Sequence, residues 1–129
     1  MTPRFAAVGL VVEDLARSFE CYRVLGFDLP SVLPDGPHFE TTLPGGLRLM
    51  WDTAESVASF HPGFTPADGD GAALAFDCDS PDGVDVTHKA LLAAGCTDVQ
   101  SPWDAFWGQR YAMVRDPDGY PIDLFAALP

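Results

Sequence analysis

The chain has 129 residues, 47% of them hydrophobic, which suits one ordinary domain with enough apolar material for a core. Its 19 acids against 7 Lys plus Arg give a formal net charge of −12, a field that repels phosphate backbones and argues against nucleic acid as a partner. No apolar run approaches the roughly 20 residues that cross a bilayer, and Cys21, Cys78 and Cys96 are odd in number and too scattered for a disulfide framework or a zinc site.

These properties lead to the expectation of a cytoplasmic protein with no membrane partner and with buried, reduced thiols. The acidic balance serves solubility first, and secondarily favours cationic ligands. The opening MTPRFAAVGLVVEDL reads as a first strand rather than a signal peptide, because its apolar stretch ends at Glu13 and Asp14.

In chain order, FAAVGLVV is a short β-rich run, and Asp14 can cap a following helix. In that helix Leu15, Phe19 and Tyr22 recur at i, i+4, i+7, and Gly26 stands where a helix ends. FDLPSVL, HFETTL and LRLMWDT follow as three strand-like runs, separated by Pro-Asp-Gly-Pro and Pro-Gly-Gly. A loop rich in Gly, Pro and Asp is expected over about 55–70.

After it the order repeats. AALAFDCD reads as a strand, and Ser80 with Pro81 opens a helix that carries Val84, Thr87, Leu91 and Ala94 on one face and ends at Gly95. TDVQSPWDAF, QRYAMVRD and YPIDLFAA are the closing strand-like runs. Between the last two, Asp116-Pro117-Asp118-Gly119 suits a tight turn, with Pro117 presetting φ and Gly119 accepting a positive φ. The expected fold is α+β: two βαβββ units, about 4–54 and 71–128, forming a cupped mixed sheet with the helices outside, within one domain.

Val12-Glu13-Asp14-Leu15, Ser18 and Leu25-Gly26-Phe27, followed much later by WGQRYAMVRDPDGYPIDLF, resemble the two signatures of the vicinal oxygen chelate superfamily. That superfamily includes glyoxalase I, bleomycin-resistance and fosfomycin-resistance proteins and extradiol dioxygenases. The resemblance covers essentially the whole chain and implies a homodimer. Metal-dependent members take up to four ligands, one from each of four strands. In this chain those positions fall on Ala7, Arg48 (or Met50, two residues on), Ala73 and Asp123. Two alanines and an arginine cannot serve, so the resemblance implies no metal and no cofactor here. A displaced site could draw on Asp123 with His38, His61 or Glu40, but their spacing does not support it. His38, His61 and His88 are read as surface or wall residues.

Strand alternation says what fills the cup instead. If Asp123 faces it, so does Phe125, while Ile122 and Leu124 pack on the helices. Ala7, Gly9 and Val11 share that face, as do Ala73, Ala75 and Asp77, and Arg48, Met50 and Asp52; Trp51 points to the helix side. Asp123 thus reads as a pocket charge, with Arg48 as its expected ion-pair partner. Trp103, Phe106, Trp107 and Tyr111 crowd one segment, and Phe60 and Phe64 stand in the long loop. Flat side chains at a cleft mouth suit a planar guest, although half of them are expected in the core or a dimer interface.

The expected ligand site therefore comprises Arg48, Met50, Asp77, Trp103, Phe106, Trp107, Tyr111, Asp123 and Phe125. The expected function is metal-free binding of a small planar or cationic organic molecule, as in bleomycin-resistance proteins, with no catalytic residue assigned. The alternative is a metal-dependent glyoxalase-like isomerase or lyase, or an extradiol dioxygenase. Cofactor-free acid/base chemistry by Asp123 ranks below binding.

Overall fold

The computed structural model describes residues 1–66 and 69–129. Their order is β1 (Ala7–Val12), α1 (Leu15–Val24), β2 (His38–Thr42), β3 (Arg48–Thr53), α2 (Ala54–Phe60), β4 (Leu74–Asp77), α3 (Pro81–Ala93), β5 (Thr97–Asp104), β6 (Gln109–Arg115) and β7 (Pro121–Ala127). The expected α+β class holds, with one sheet of three strands and one of four. Contacts divide the described chain into two compact units, residues 1–16 with 27–66 and residues 17–26 with 69–129.

In the first unit the sheet order is β1-β3-β2, β1 parallel and β2 antiparallel to β3. The expected strand at FDLPSVL does not form: residues 27–33 carry no ladder. Pro30 has no N–H to donate in the middle of that run, which breaks any continuous ladder there. The segment expected as loop 55–70 begins with helix α2, and its residues 67 and 68 lie outside the described residues. The signal was present: Thr53 caps the helix, its hydroxyl accepting from the Ser56 amide at 3.2 Å, and Glu55 sits in the positive first turn. Trp51 is fully buried, as its parity with Leu49 implies, and meets the rings of Phe27 and Phe39.

The second unit has the sheet order β4-β7-β6-β5, with β4 parallel to β7 and the rest antiparallel. Helix α3 covers one face, with Val84 and Leu91 buried alongside Ile122, Leu124, Ala112 and Val114. Each large aliphatic side chain so buried is worth about 1.5–3 kcal/mol of transfer free energy. Ser80 caps α3 by accepting from the Gly83 amide at 3.0 Å. A Cβ at Gly83 would run into the Cys78 carbonyl, so the start of this helix demands glycine. His88, expected as a surface or wall residue, is buried instead, and its Nε2 meets Asp98 Oδ1 at 2.8 Å. It sits one turn from Val84 and Leu91, so the apolar face of the helix carries it inward.

Most of α1 belongs with this second unit, although a different sheet precedes and follows it in the chain. The link is polar as well as apolar. The buried Tyr22 hydroxyl donates to Asp116 Oδ2 at 2.7 Å, and Arg17 pairs with Asp118 at 3.0 Å. Asp116 Oδ1 in turn accepts the Asp118 and Tyr120 amides, both at 2.9 Å, and Gly119 closes the turn at φ 92°. The Asp-Pro-Asp-Gly stretch is thus a structural turn, organised by one buried carboxylate.

Candidate functional site

Alternation along β7 and β6 sorts the second sheet into two faces. Ile122, Leu124 and Ala126 are buried with Ala112 and Val114, whereas Asp123 and Phe125 keep partial exposure with Tyr111, Met113 and Arg115. The ladders then fix neighbours on the open face. Met113 stands opposite Asp123, Tyr111 opposite Phe125, and Trp103 opposite Tyr111. On the other side Ala75 is opposite Asp123, and Asp77 opposite Phe125.

Tyr111 and Asp123 are diagonal neighbours, within reach of each other across an antiparallel pair. The Tyr111 hydroxyl donates to Asp123 Oδ2 at 2.6 Å. Desolvation first, and the bond to Asp123 second, raise the Tyr111 pKa to about 12, so the phenol remains a proton donor at neutral pH. The ring of Tyr111 meets Trp103 at 5.9 Å and Trp107 at 5.3 Å between centroids, each edge to face, and Trp103 meets Trp107 at 5.6 Å. Phe106 extends the cluster but is almost fully exposed, its ring 4.9 Å from Trp107.

A cavity of about 290 Å³ opens on the same face, with Ala73, Met113, Arg115 and Asp123 among its walls. Arg115 was not among the residues expected from sequence, although it shares the parity of Tyr111 and Met113. It donates to the Gly119 carbonyl at 2.8 Å and pairs with Asp70, so the cavity has one basic and two acidic walls.

Asp77 is on this face too, but its Oδ1 accepts the Asp79 amide at 2.9 Å, which commits it to the turn before α3. The structure therefore groups Tyr111, Asp123, Trp103, Trp107, Phe106 and Phe125 within one unit.

Arg48 and Met50 belong to the other unit, on the face of β3 that also carries Asp52. Arg48 and Asp123, expected as partners, each have a partner within their own unit. Arg48 Nη1 pairs with Glu40 at 2.8 Å, while Asp123 takes the Tyr111 phenol. The β2–β3 hairpin supplies the nearer carboxylate: Glu40 stands opposite Met50, one diagonal step from Arg48. The same face holds His38 between two acids, Nδ1 at 2.7 Å from Asp52 and Nε2 at 3.0 Å from Glu40. Those hydrogen bonds, Asp52 first, raise the His38 pKa.

The whole-chain match is to the model of the Glyoxalase/Bleomycin resistance protein/Dioxygenase superfamily, over residues 4–124. The chain belongs to that superfamily. The chain is 30% identical over 120 residues to the uncharacterized protein Mb0911c of Mycobacterium bovis, an alignment that covers 89% of this chain and 78% of that one. Among solved structures, the fold is similar to a glyoxalase/bleomycin resistance protein/dioxygenase family enzyme from Burkholderia phytofirmans (TM-score 0.81, 20% identity, 98% of this chain and 100% of that chain). A glyoxalase/bleomycin resistance protein/dioxygenase from Nocardioides is similar at 26% identity and TM-score 0.70, covering 99% of this chain and 85% of that chain.

The positions where the resemblance places metal ligands hold Ala7, Arg48, Ala73 and Asp123 in this chain. Ala7 and Ala73 have no donor atom, and Arg48 is a cation held by Glu40. The two carboxylates around His38 sit on opposite ring nitrogens, so they cannot converge with it on one ion. Among the described residues no group of three or more His, Cys, Asp or Glu side chains could hold a metal ion.

Proposed function

We propose that this chain is a metal-free binding protein of the bleomycin-resistance type, one that sequesters a small planar or cationic organic molecule without transforming it. One observation carries the reading. A carboxylate, Asp123, is held in place by the phenol of Tyr111, itself one of three mutually edge-packed aromatic rings, on a sheet face that borders a cavity of about 290 Å³.

Each part has a role in binding. Aromatic edges and faces give a flat guest apolar contact, and Asp123 offers a fixed anion to a ligand ammonium or amidine. The net charge of −12 draws cations toward the surface. Phe106, nearly all exposed, and Trp107, half exposed, give the cluster an open rim for a guest to cover.

The test is a thermal-shift screen of planar and cationic aromatic compounds, followed by calorimetric titration of hits against wild type, Asp123→Ala and Trp107→Ala. Loss of a charge-assisted bond predicts affinity weaker by roughly 10-fold or more in Asp123→Ala. Unchanged affinity in both variants would remove this face as the site. Elemental analysis of the purified protein runs alongside: near-stoichiometric, tightly retained metal would overturn the metal-free reading and favour an isomerase or dioxygenase.

A further inference from the structure

The second unit contains a nucleophilic pair that ligand binding does not use. Cys21 lies on α1 and Cys96 just beyond α3, 75 residues apart in sequence, yet their Sγ atoms are 2.9 Å apart. Both are free thiols and both are buried, with Cys21 fully enclosed and Cys96 7% exposed. Cys96 donates its S–H to Cys21 Sγ, and Cys21 also reaches the Ala94 carbonyl at 3.3 Å. We infer that Cys21 and Cys96 form a thiol–disulfide couple, oxidised by a hydroperoxide, whose disulfide pins α1 to the α3–β5 junction.

Three features support this assignment. The sulfurs need to close by only roughly 0.9 Å to reach disulfide length, so no element has to move far. The donated S–H leaves the electron pair on Cys21, and that bond lowers its pKa, outweighing burial. Cys78 marks the contrast: its Sγ sits against the Phe76 carbonyl at 3.7 Å and burial raises its pKa.

The chemistry balances with one hydroperoxide. Cys21 sulfur attacks the distal oxygen, the O–O bond breaks, and the proximal oxygen takes the Cys21 thiol proton and leaves as an alcohol, or as water from hydrogen peroxide. Cys21 is then a sulfenic acid. Cys96 sulfur attacks the Cys21 sulfur, the S–O bond breaks, and the departing hydroxide takes the Cys96 proton as water. Two thiols lose two electrons and the peroxide gains them.

The consequence is local to the candidate site's scaffold. Cys21 precedes Tyr22, whose hydroxyl holds Asp116 and hence the turn that leads into Asp123. The inference stands independently of what the ligand is.

The experiment uses the whole reduced chain, exposed to a modest excess of hydrogen peroxide, then denatured and alkylated. The expected result is one alkylatable thiol of the three, an intact mass lower by two hydrogens, and a single cross-linked peptide pair joining Cys21 to Cys96. Closing so long a loop raises the Tm by roughly ten degrees, reversibly with dithiothreitol. Cys78→Ser gives the same cross-linked pair and the same Tm gain with no alkylatable thiol left, whereas Cys96→Ser halts at the Cys21 sulfenic acid, captured by dimedone. Three alkylatable thiols after oxidant, a bridge that includes Cys78, or stable oxygen adducts without a cross-link in the wild type would each overturn it.

Discussion

The phenol of Tyr111 and the carboxylate of Asp123 are joined at 2.6 Å across β6 and β7, one diagonal step apart on the open face of the second sheet. That bond places a charge where an apolar strand would otherwise continue, and it binds the charge to the aromatic cluster. A spectrophotometric pH titration checks the coupling. One tyrosine should ionise at about 12, and Asp123→Asn should bring that value part of the way down, because the carboxylate bond is the second cause of the shift after desolvation. An unchanged titration in Asp123→Asn would mean that the bond is not present in solution.

Tyr22 and Asp116 form the buried counterpart of that pair, at 2.7 Å. Tyr22→Phe strips one donor from a carboxylate that burial already strains, and should cost about 1–3 kcal/mol in urea unfolding at neutral pH. Burial, the largest influence, raises the Asp116 pKa, while the Tyr22 bond opposes it. A raised carboxyl contributes stability below its unfolded pKa and loses it as pH rises through the folded pKa. The Tyr22→Phe deficit should therefore shrink on acidification, once Asp116 is protonated. A deficit that grows at acid pH would contradict this assignment of charge.

His38 keeps its proton to higher pH than an isolated imidazole. Held between Asp52 and Glu40, it has a raised pKa, so its charged form persists above the usual histidine range. Its stabilising contribution is complete below the unfolded pKa and disappears as pH rises through the folded one. Proton NMR should show Asp52→Asn lowering the His38 pKa more than Glu40→Gln does, in the order of their bonds. Equal pKa values in wild type and both variants would show the side chains to be apart.

The aromatic cluster divides by exposure. Phe106 is 97% exposed, so Phe106→Ser should leave the unfolding free energy within about 0.5 kcal/mol of wild type. Trp103, partly buried against Tyr111 and Trp107, should destabilise by about 1–3 kcal/mol when cut to alanine, through lost area and two edge contacts. Denaturant midpoints distinguish the two. Equal losses would mean that Phe106 is covered in solution, as it would be in an assembly.

Which parts were readable in advance follows from the range over which each signal acts. The parity of Asp123 against Ile122 and Leu124 was legible, because side chains alternate along a strand whatever its neighbours are. The caps at Ser80 and the Asp-Pro-Asp-Gly turn were legible for the same local reason. Thr53 and Glu55 carried an equally local signal for α2, which the surrounding Gly and Pro obscured.

The sequence by itself determined the α+β class, the faces of β3 and β7, and the loss of donor atoms at Ala7 and Ala73. Only the tertiary structure decided that Arg48 pairs with Glu40, that Asp123 takes the Tyr111 phenol, that most of α1 belongs with the second unit, and that Cys21 meets Cys96. Alternation and turn chemistry act over a few residues, so they are written locally. Partner choice depends on strand register and on which helix covers which sheet, and those are set by burial between segments as much as 94 residues apart.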